Sequence, residues 1–161
     1  VPAVTIRNAT LADVPALIAL FVDVVDERRW LGTEPGFDQE RLNAGYARTM
    51  DDPNYLTLVA DDAGTIVGTL RLYPRETDHT LGMLIAAGYR GQGLGTRLVA
   101  DAIAWARARG SAKIVLGVFP HNVAAQRLYE NAGFRVTQRR AGAYTRQTGE
   151  VWDLIELELQ L

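Results

Sequence analysis

The chain has 161 residues with 17 basic and 19 acidic side chains, a net charge of −2, and 48% hydrophobic residues. That fits one domain with an ordinary core, and the near-neutral balance excludes a dedicated nucleic-acid binder, which carries a basic excess. No apolar run is long enough for a membrane-spanning helix, the start lacks the basic-then-apolar pattern of a secretion leader, and the absence of cysteine rules out disulfides and thiolate chemistry and favours a reducing cytoplasm.

In chain order, Val4 to Arg7 reads as a short strand. Thr10 or Asp13 caps a helix whose apolar face is Leu17, Ile18, Phe21 and Val25. Arg28 to Phe37, with two glycines and a proline, reads as a loop, and Asp38 starts a second helix through Arg48. Tyr55 to Ala60 places Leu56, Leu58 and Ala60 on one strand face, and the turn at Asp61-Asp62-Ala63-Gly64 leads to a partner strand from Thr65 to Tyr73. A third strand spans about His79 to Ala87, and a helix runs from Thr96 to Arg109 with Gly110 as its C-terminal cap. Ile114 to Val118 is a short buried strand, and Asn122 caps a helix through Asn131 that Gly133 ends. Phe134 to Arg139 and Val151 to Leu161 are closing strands. The second alternates Leu157, Leu159 and Leu161 with Glu156, Glu158 and Gln160. The order β-α-α-β-β-β-α-β-α-β-β predicts an α/β (α+β) fold. A mixed sheet of six to seven strands is flanked by four helices, in one domain over 1–161.

The segment Tyr89-Arg90-Gly91-Gln92-Gly93-Leu94-Gly95-Thr96 lies between a buried strand and a helix start. Unpaired amides and the helix dipole attract an anion there, and glycines let a diphosphate approach the backbone. A P-loop would need a lysine that the segment lacks. A dinucleotide fingerprint needs Gly-x-Gly-x-x-Gly, whereas the spacing from Gly91 is one residue short, and no acidic residue follows about 20 positions later to hold a ribose.

Arg90-x-x-Gly93-x-Gly95 resembles the pyrophosphate-binding signature of the GCN5-related N-acetyltransferase (GNAT) superfamily. Asn122-x-x-Ala125-x-x-Leu128-Tyr129-x-x-x-Gly133-Phe134 resembles that family's later motif, one strand downstream, and the element order is similar over nearly the whole chain. The resemblance implies acetyl transfer from acetyl-CoA, with no metal, to an amine that attacks directly while both are bound. It implies that backbone amides from Gly91 to Thr96 (Gly91, Gln92, Gly93, Leu94, Gly95, Thr96) hold the pyrophosphate, with Arg90 adding charge or loop packing. It also implies that the backbone of Met83, Leu84 and Ile85 pairs with the pantetheine arm and polarises the thioester carbonyl.

By the same resemblance Tyr129 donates a proton to the departing thiolate, a role suited to a phenol with a pKa of about 10. The alternative is a helix tyrosine packed near Leu128 and Phe134. Asn122 bonds the pantetheine arm, caps its helix, or does both. For the base, His79 stands eleven residues before Arg90, where the histone-modifying branch carries a glutamate, and imidazole accepts protons near neutral pH. Glu76, Asp78 and a water chain are the alternatives. Ser111 is the only serine, which leaves a serine triad little to work with, and His79 and His121 without cysteine do not form a zinc site.

The family builds its acceptor site from the loop between the first two helices and from segments near the last two strands. Here these offer Trp30, Phe37, Tyr144 and Trp152 with Asp26, Glu27 and Glu34, which suggests a small cationic amine held by aromatic faces and a carboxylate. A protein or peptide amine is a second acceptor class. A non-catalytic acyl-CoA binder or sensor, and a nucleotide hydrolase, are the competing activities. Exposed sheet edges permit a homodimer.

Overall fold

The computed structural model describes residues 3–161. Its elements are β1 (Thr5–Asn8), a 3-10 turn (Leu11–Asp13), α1 (Val14–Asp26), α2 (Gln39–Thr49), β2 (Leu56–Asp62), β3 (Thr65–Arg75), β4 (Asp78–Ile85), a second 3-10 turn (Ala87–Tyr89), α3 (Leu94–Ala108), β5 (Lys113–Val118), α4 (Val123–Asn131), β6 (Arg135–Thr145) and β7 (Val151–Gln160). The strands form one mixed sheet in the order β1-β2-β3-β4-β5-β7-β6. Among the described residues only β4 and β5 pair in parallel.

Local chemistry sets these boundaries. Ala63 and Gly64 both have positive φ, the signature of a tight hairpin turn, and the Asp61 carboxylate accepts the Gly64 amide at 2.7 Å. Asp13 accepts the Thr10 amide at 2.7 Å and a two-pronged contact from Arg7, 2.8 Å on each oxygen. The Asp38 side chain caps α2 by accepting the Arg41 amide at 3.0 Å.

The sheet is covered on both faces. On one, Leu70 and Leu72 of β3 pack against Leu98, Val99 and Ala102 of α3. On the other, Val59, Ile66 and Leu84 pack against Leu17, Leu20 and Val24 of α1, with Tyr46 of α2 behind them. Each fully buried leucine contributes about 2 kcal/mol. The helices above and below explain a departure from the expected one-faced β2. Leu56 to Ala60 are all buried, because a central strand under two helical layers has no wet face.

Among the boundaries that differ from the sequence reading, three have a clear local cause. β4 ends at Ile85 rather than Ala87, and the chain tightens into the second 3-10 turn, where the Tyr89 amide bonds Ala86 O at 2.9 Å. α3 begins at Leu94 rather than Thr96, because left-handed Gly93 serves as its N-cap. β6 runs on to Thr145 rather than stopping at Arg139. As an exposed edge strand it has no apolar alternation to mark it. It is held to β7 by cross-strand ion pairs, Arg139–Asp153 at 2.9 Å and Arg140–Glu156 at 2.6 Å.

Candidate active site

The parallel pairing of β4 and β5 is confined to His79–Ile114 and Thr80–Val115. Beyond it β4 stays zipped to β3 through Ile85, while β5 follows β7 through Val118. The two strands therefore part, and the β4 backbone from Gly82 to Ile85 presents one edge to a cleft instead of to a neighbouring strand. The cleft has a volume of about 710 Å³. Met83, Leu84 and Ile85 form one side of it, Val118 and Phe119 the other.

The start of α3 closes the cleft at one end. Arg90 is extended, Gly91 and Gly93 have φ of +73° and +84°, and the first helical bond is Arg97 N to Gly93 O at 3.2 Å. The amides just inside the helix thus have no intrahelical acceptor, no side chain caps them, and no acidic residue stands in the first turn. Gly91, Gly93, Leu94, Gly95 and Thr96 all line the cleft. Gly95 is fixed by packing. A Cβ there would lie 2.6 Å from Leu128 Cδ1 and 3.3 Å from Met83 Cε, so the absence of a side chain lets α3 approach α4 and β4.

Arg90 serves the loop's shape. Its Nε donates to Ile85 O at 2.9 Å, and its two terminal nitrogens reach the Glu27 carboxylate at 2.7 Å each. Trp30 lies beneath the guanidinium at 5.4 Å and donates its indole N–H to Glu27 at 3.0 Å. Arg90 in turn holds the Glu27 carboxyl below the usual carboxylate range. Gln92 is not one of the residues lining the cleft, and its side-chain amide donates to Gly88 O at 3.1 Å.

Tyr129 and Asn122 come from α4. Asn122 caps the helix by accepting the Ala125 amide at 3.2 Å and also lines the cleft, so its two expected positions coincide. Tyr129 is buried, edge-on to Phe134 at 5.6 Å, and forms part of the cleft wall. Among the described residues its hydroxyl has no hydrogen-bond partner. Burial pushes the phenol pKa up, so the group stays protonated at neutral pH and has a proton to donate.

His79 is not brought to the cleft, which corrects the expectation that it serves as base. It stands at the end of β4 where β5 is still paired. Nε2 faces the Asn54 carbonyl at 3.2 Å, Nδ1 faces Ser111 Oγ at 2.8 Å, and the ring packs edge-on against Trp105 at 5.3 Å. Both ring nitrogens thus lie within hydrogen-bond distance of a partner. Glu76 sits in the β3–β4 turn with φ of +53°, and Asp78 lies 3.9 Å from Lys113 Nζ. No described residue that lines the cleft is a carboxylate or a histidine. No described group of three His, Cys, Asp or Glu is placed to hold a metal.

The acceptor side also departs from expectation. Trp30 and Tyr144 line the cleft. Trp152 packs on Phe119 at 4.8 Å and on His121 at 4.7 Å. Phe37 instead packs on Phe21 at 5.3 Å and lines a second cavity. Two of the three carboxylates expected to face an amine are already engaged: Glu27 holds Arg90, and Glu34 holds Arg146 at 3.3 Å and the Gln147 amide at 2.9 Å. Asp26 is exposed at the end of α1. Phe119 and Arg146 escape the sequence reading, and His121 is weighed there only as a metal ligand, because only the fold gathers them around Trp152.

Residues 21–134 match the Acetyltransferase (GNAT) family. The chain is 28% identical over 142 residues to an L-methionine sulfoximine/L-methionine sulfone acetyltransferase of Pseudomonas aeruginosa, covering 83% of this chain and 81% of that one. Its fold superposes on a ribosomal-protein-alanine N-acetyltransferase of Brucella melitensis with a TM-score of 0.88 at 28% identity, over 98% of this chain and 99% of the other. It superposes equally, 0.88 at 25% identity over 99% and 94%, on the Salmonella typhimurium protein yncA, whose structure contains its cofactor acetyl-CoA. Among the described residues no helix is long and apolar enough to cross a membrane.

Proposed function

The chain belongs to the GNAT acetyltransferase family, and from that premise we propose that it moves an acetyl group from acetyl-CoA to the primary amine of a small molecule, by direct attack with both held in the one cleft. The observation that carries this reading is the parting of β4 from β5 beneath the amide-lined start of α3, with the Tyr129 phenol on the same wall.

Acetyl-CoA, when bound, supplies an activated thioester whose carbonyl an amine can attack. The chain's contribution is positional and electrostatic. The amides from Gly91 to Thr96, at the positive end of α3, receive a diphosphate. The free edge of β4 at Met83, Leu84 and Ile85 offers backbone groups to an extended arm, as a neighbouring strand would, and one N–H there steadies negative charge on the reacting carbonyl oxygen. Asn122 bounds the same channel. Tyr129 donates its hydroxyl proton toward the departing sulfur, and its raised pKa keeps that proton available across the neutral range. Since no described carboxylate or imidazole lines the cleft, the acceptor ammonium loses one proton to water at the mouth before its nitrogen attacks, and the second proton, shed by that nitrogen as the amide forms, passes through water to restore the Tyr129 phenol.

The aromatic walls formed by Trp30, Phe119 and Tyr144 favour a compact acceptor over an extended peptide. A protein amine, as the name of the Brucella ribosomal-protein-alanine N-acetyltransferase implies for that enzyme, is the second reading. Thiol release on mixing the protein with acetyl-CoA and a library of small amines tests the proposal. Transfer to peptide N-termini alone would select the second reading. Failure of well-folded protein to take up coenzyme A in a calorimeter would remove both.

A further inference from the structure

We propose that a second cavity, floored by Arg71, binds a single oxyanion group, a carboxylate or a phosphate. This cavity has a volume of about 600 Å³, lies between α2 and β3, and shares no lining residue with the acetyl-CoA cleft. Arg71 is only 6% exposed. Its Nε donates to Thr57 Oγ1 at 3.0 Å and its Nη2 to Thr49 Oγ1, while Nη1 has no acceptor among the described residues. No described carboxylate pairs with it.

The rest of the charge is taken up by ring faces. The guanidinium carbon lies 4.6 Å from the Tyr46 ring centre, 5.3 Å from Tyr55 and 5.2 Å from Tyr73. Such contacts soften the cost of burying a cation but supply no lone pair for its N–H groups. Arg41 and Arg48 of α2 border the same cavity, against one carboxylate, Asp38, whose oxygen is already turned to the Arg41 amide. A buried, carboxylate-free guanidinium with an unused nitrogen and two further cations nearby suits a flat or tetrahedral oxyanion, which accepts from the guanidinium edge.

The cavity is one strand from the chemistry. Arg71 stands opposite Gly82 in the β3–β4 register, and Gly82 lines the acetyl-CoA cleft. A Cβ at Gly82 would meet only Tyr73, at 3.7 Å, so little side-chain bulk separates the two spaces. The oxyanion is therefore either the acid group of the amine acceptor or a separate small anion. The first source rests on the acetyl-transfer reading, and the site itself does not.

The test follows the arginine Nε–Hε resonances of 15N-labelled protein during titration with inorganic phosphate and with acetate at fixed ionic strength, with chloride as control. The Arg71 resonance, assigned through Arg71→Lys, is expected to shift saturably with phosphate or acetate and not with chloride. The double variant Arg41→Gln, Arg48→Gln changes only exposed side chains and is expected to weaken that titration by about fivefold. An Arg71 resonance that stays still, or that moves equally with chloride, overturns the proposal, and this readout needs no enzymatic turnover. Given the expected shift, the source is read from acetylation of an α-amino acid and of its decarboxylated amine. Phosphate competing with the amino acid alone identifies the acceptor's own acid group, and competition with neither identifies a separate anion.

Discussion

Arg146 in the β6–β7 connection and Glu34 in the α1–α2 loop form an ion pair at 3.3 Å, with the arginine side chain 3% exposed and the glutamate 15%. The same guanidinium donates to Leu31 O at 2.8 Å and Gly32 O at 3.2 Å, and stacks 3.9 Å over Trp152. Two segments remote in sequence thereby become one wall at the cleft mouth. A Cβ on Gly32 would overlap the Tyr144 ring, so the bare backbone there completes the fit.

Glu34→Ala strands a buried guanidinium whose Nη2 already has no partner among the described residues. We expect a loss of about 3 kcal/mol, read as a lower midpoint in urea unfolding. The KM for the acceptor should rise more than that for acetyl-CoA, because in the proposed reaction the wall bounds the acceptor end. A variant as stable as the parent would show that the pair carries no load.

Tyr129→Phe keeps the ring that packs on Phe134 and removes only the unpartnered hydroxyl. The expected outcome is a kcat lower by roughly 100-fold with little change in coenzyme A affinity. Because burial raises the phenol pKa above its ordinary value, the parent rate should not fall through tyrosine ionisation until pH exceeds about 10. An alkaline limb below that, absent in the phenylalanine variant, would contradict the assignment.

Gly95→Ala drives a methyl to within 2.6 Å of Leu128 Cδ1. Leu128 and Met83 must yield, at a cost of about 1–3 kcal/mol, and the first turn of α3 is pushed off its seat. We expect weaker coenzyme A binding by calorimetry, with the unfolding midpoint lowered in parallel.

His79→Ala should leave the pH–rate profile in place, since the imidazole is engaged by Ser111 and Asn54. Stability is expected to fall through lost packing on Trp105. Loss of the acid limb in this variant would restore the histidine as a base.

Hydrogen bonds from Arg7 hold the Asp13 pKa down to about 2 in the folded chain. A depressed carboxylate stabilises the fold above its unfolded pKa and ceases to do so as pH falls through the folded value. The contribution is about 2 kcal/mol, present above about pH 4 and lost toward pH 2. Urea titrations of the parent and Asp13→Asn should therefore converge as pH drops across that window.

Element order, the glycine turn and the helix caps at Asp38 and Asn122 were legible in the sequence, because each is written in a few adjacent residues through local backbone chemistry. So were both motifs that point to the family. The exposed extension of β6 was not, since an edge strand buries no face and leaves no periodic mark.

What the sequence determined by itself is the backbone cradle, because a strand, a positive-φ turn and a helix start are contiguous. Only tertiary structure decided which charges remain free. Glu27 and Glu34 are neutralised by Arg90 and Arg146, His79 is drawn into a packing site, and Arg71 is left buried without a carboxylate. Charge compensation is settled by distance in space, and the distance between residues remote in sequence is fixed only when the sheet closes.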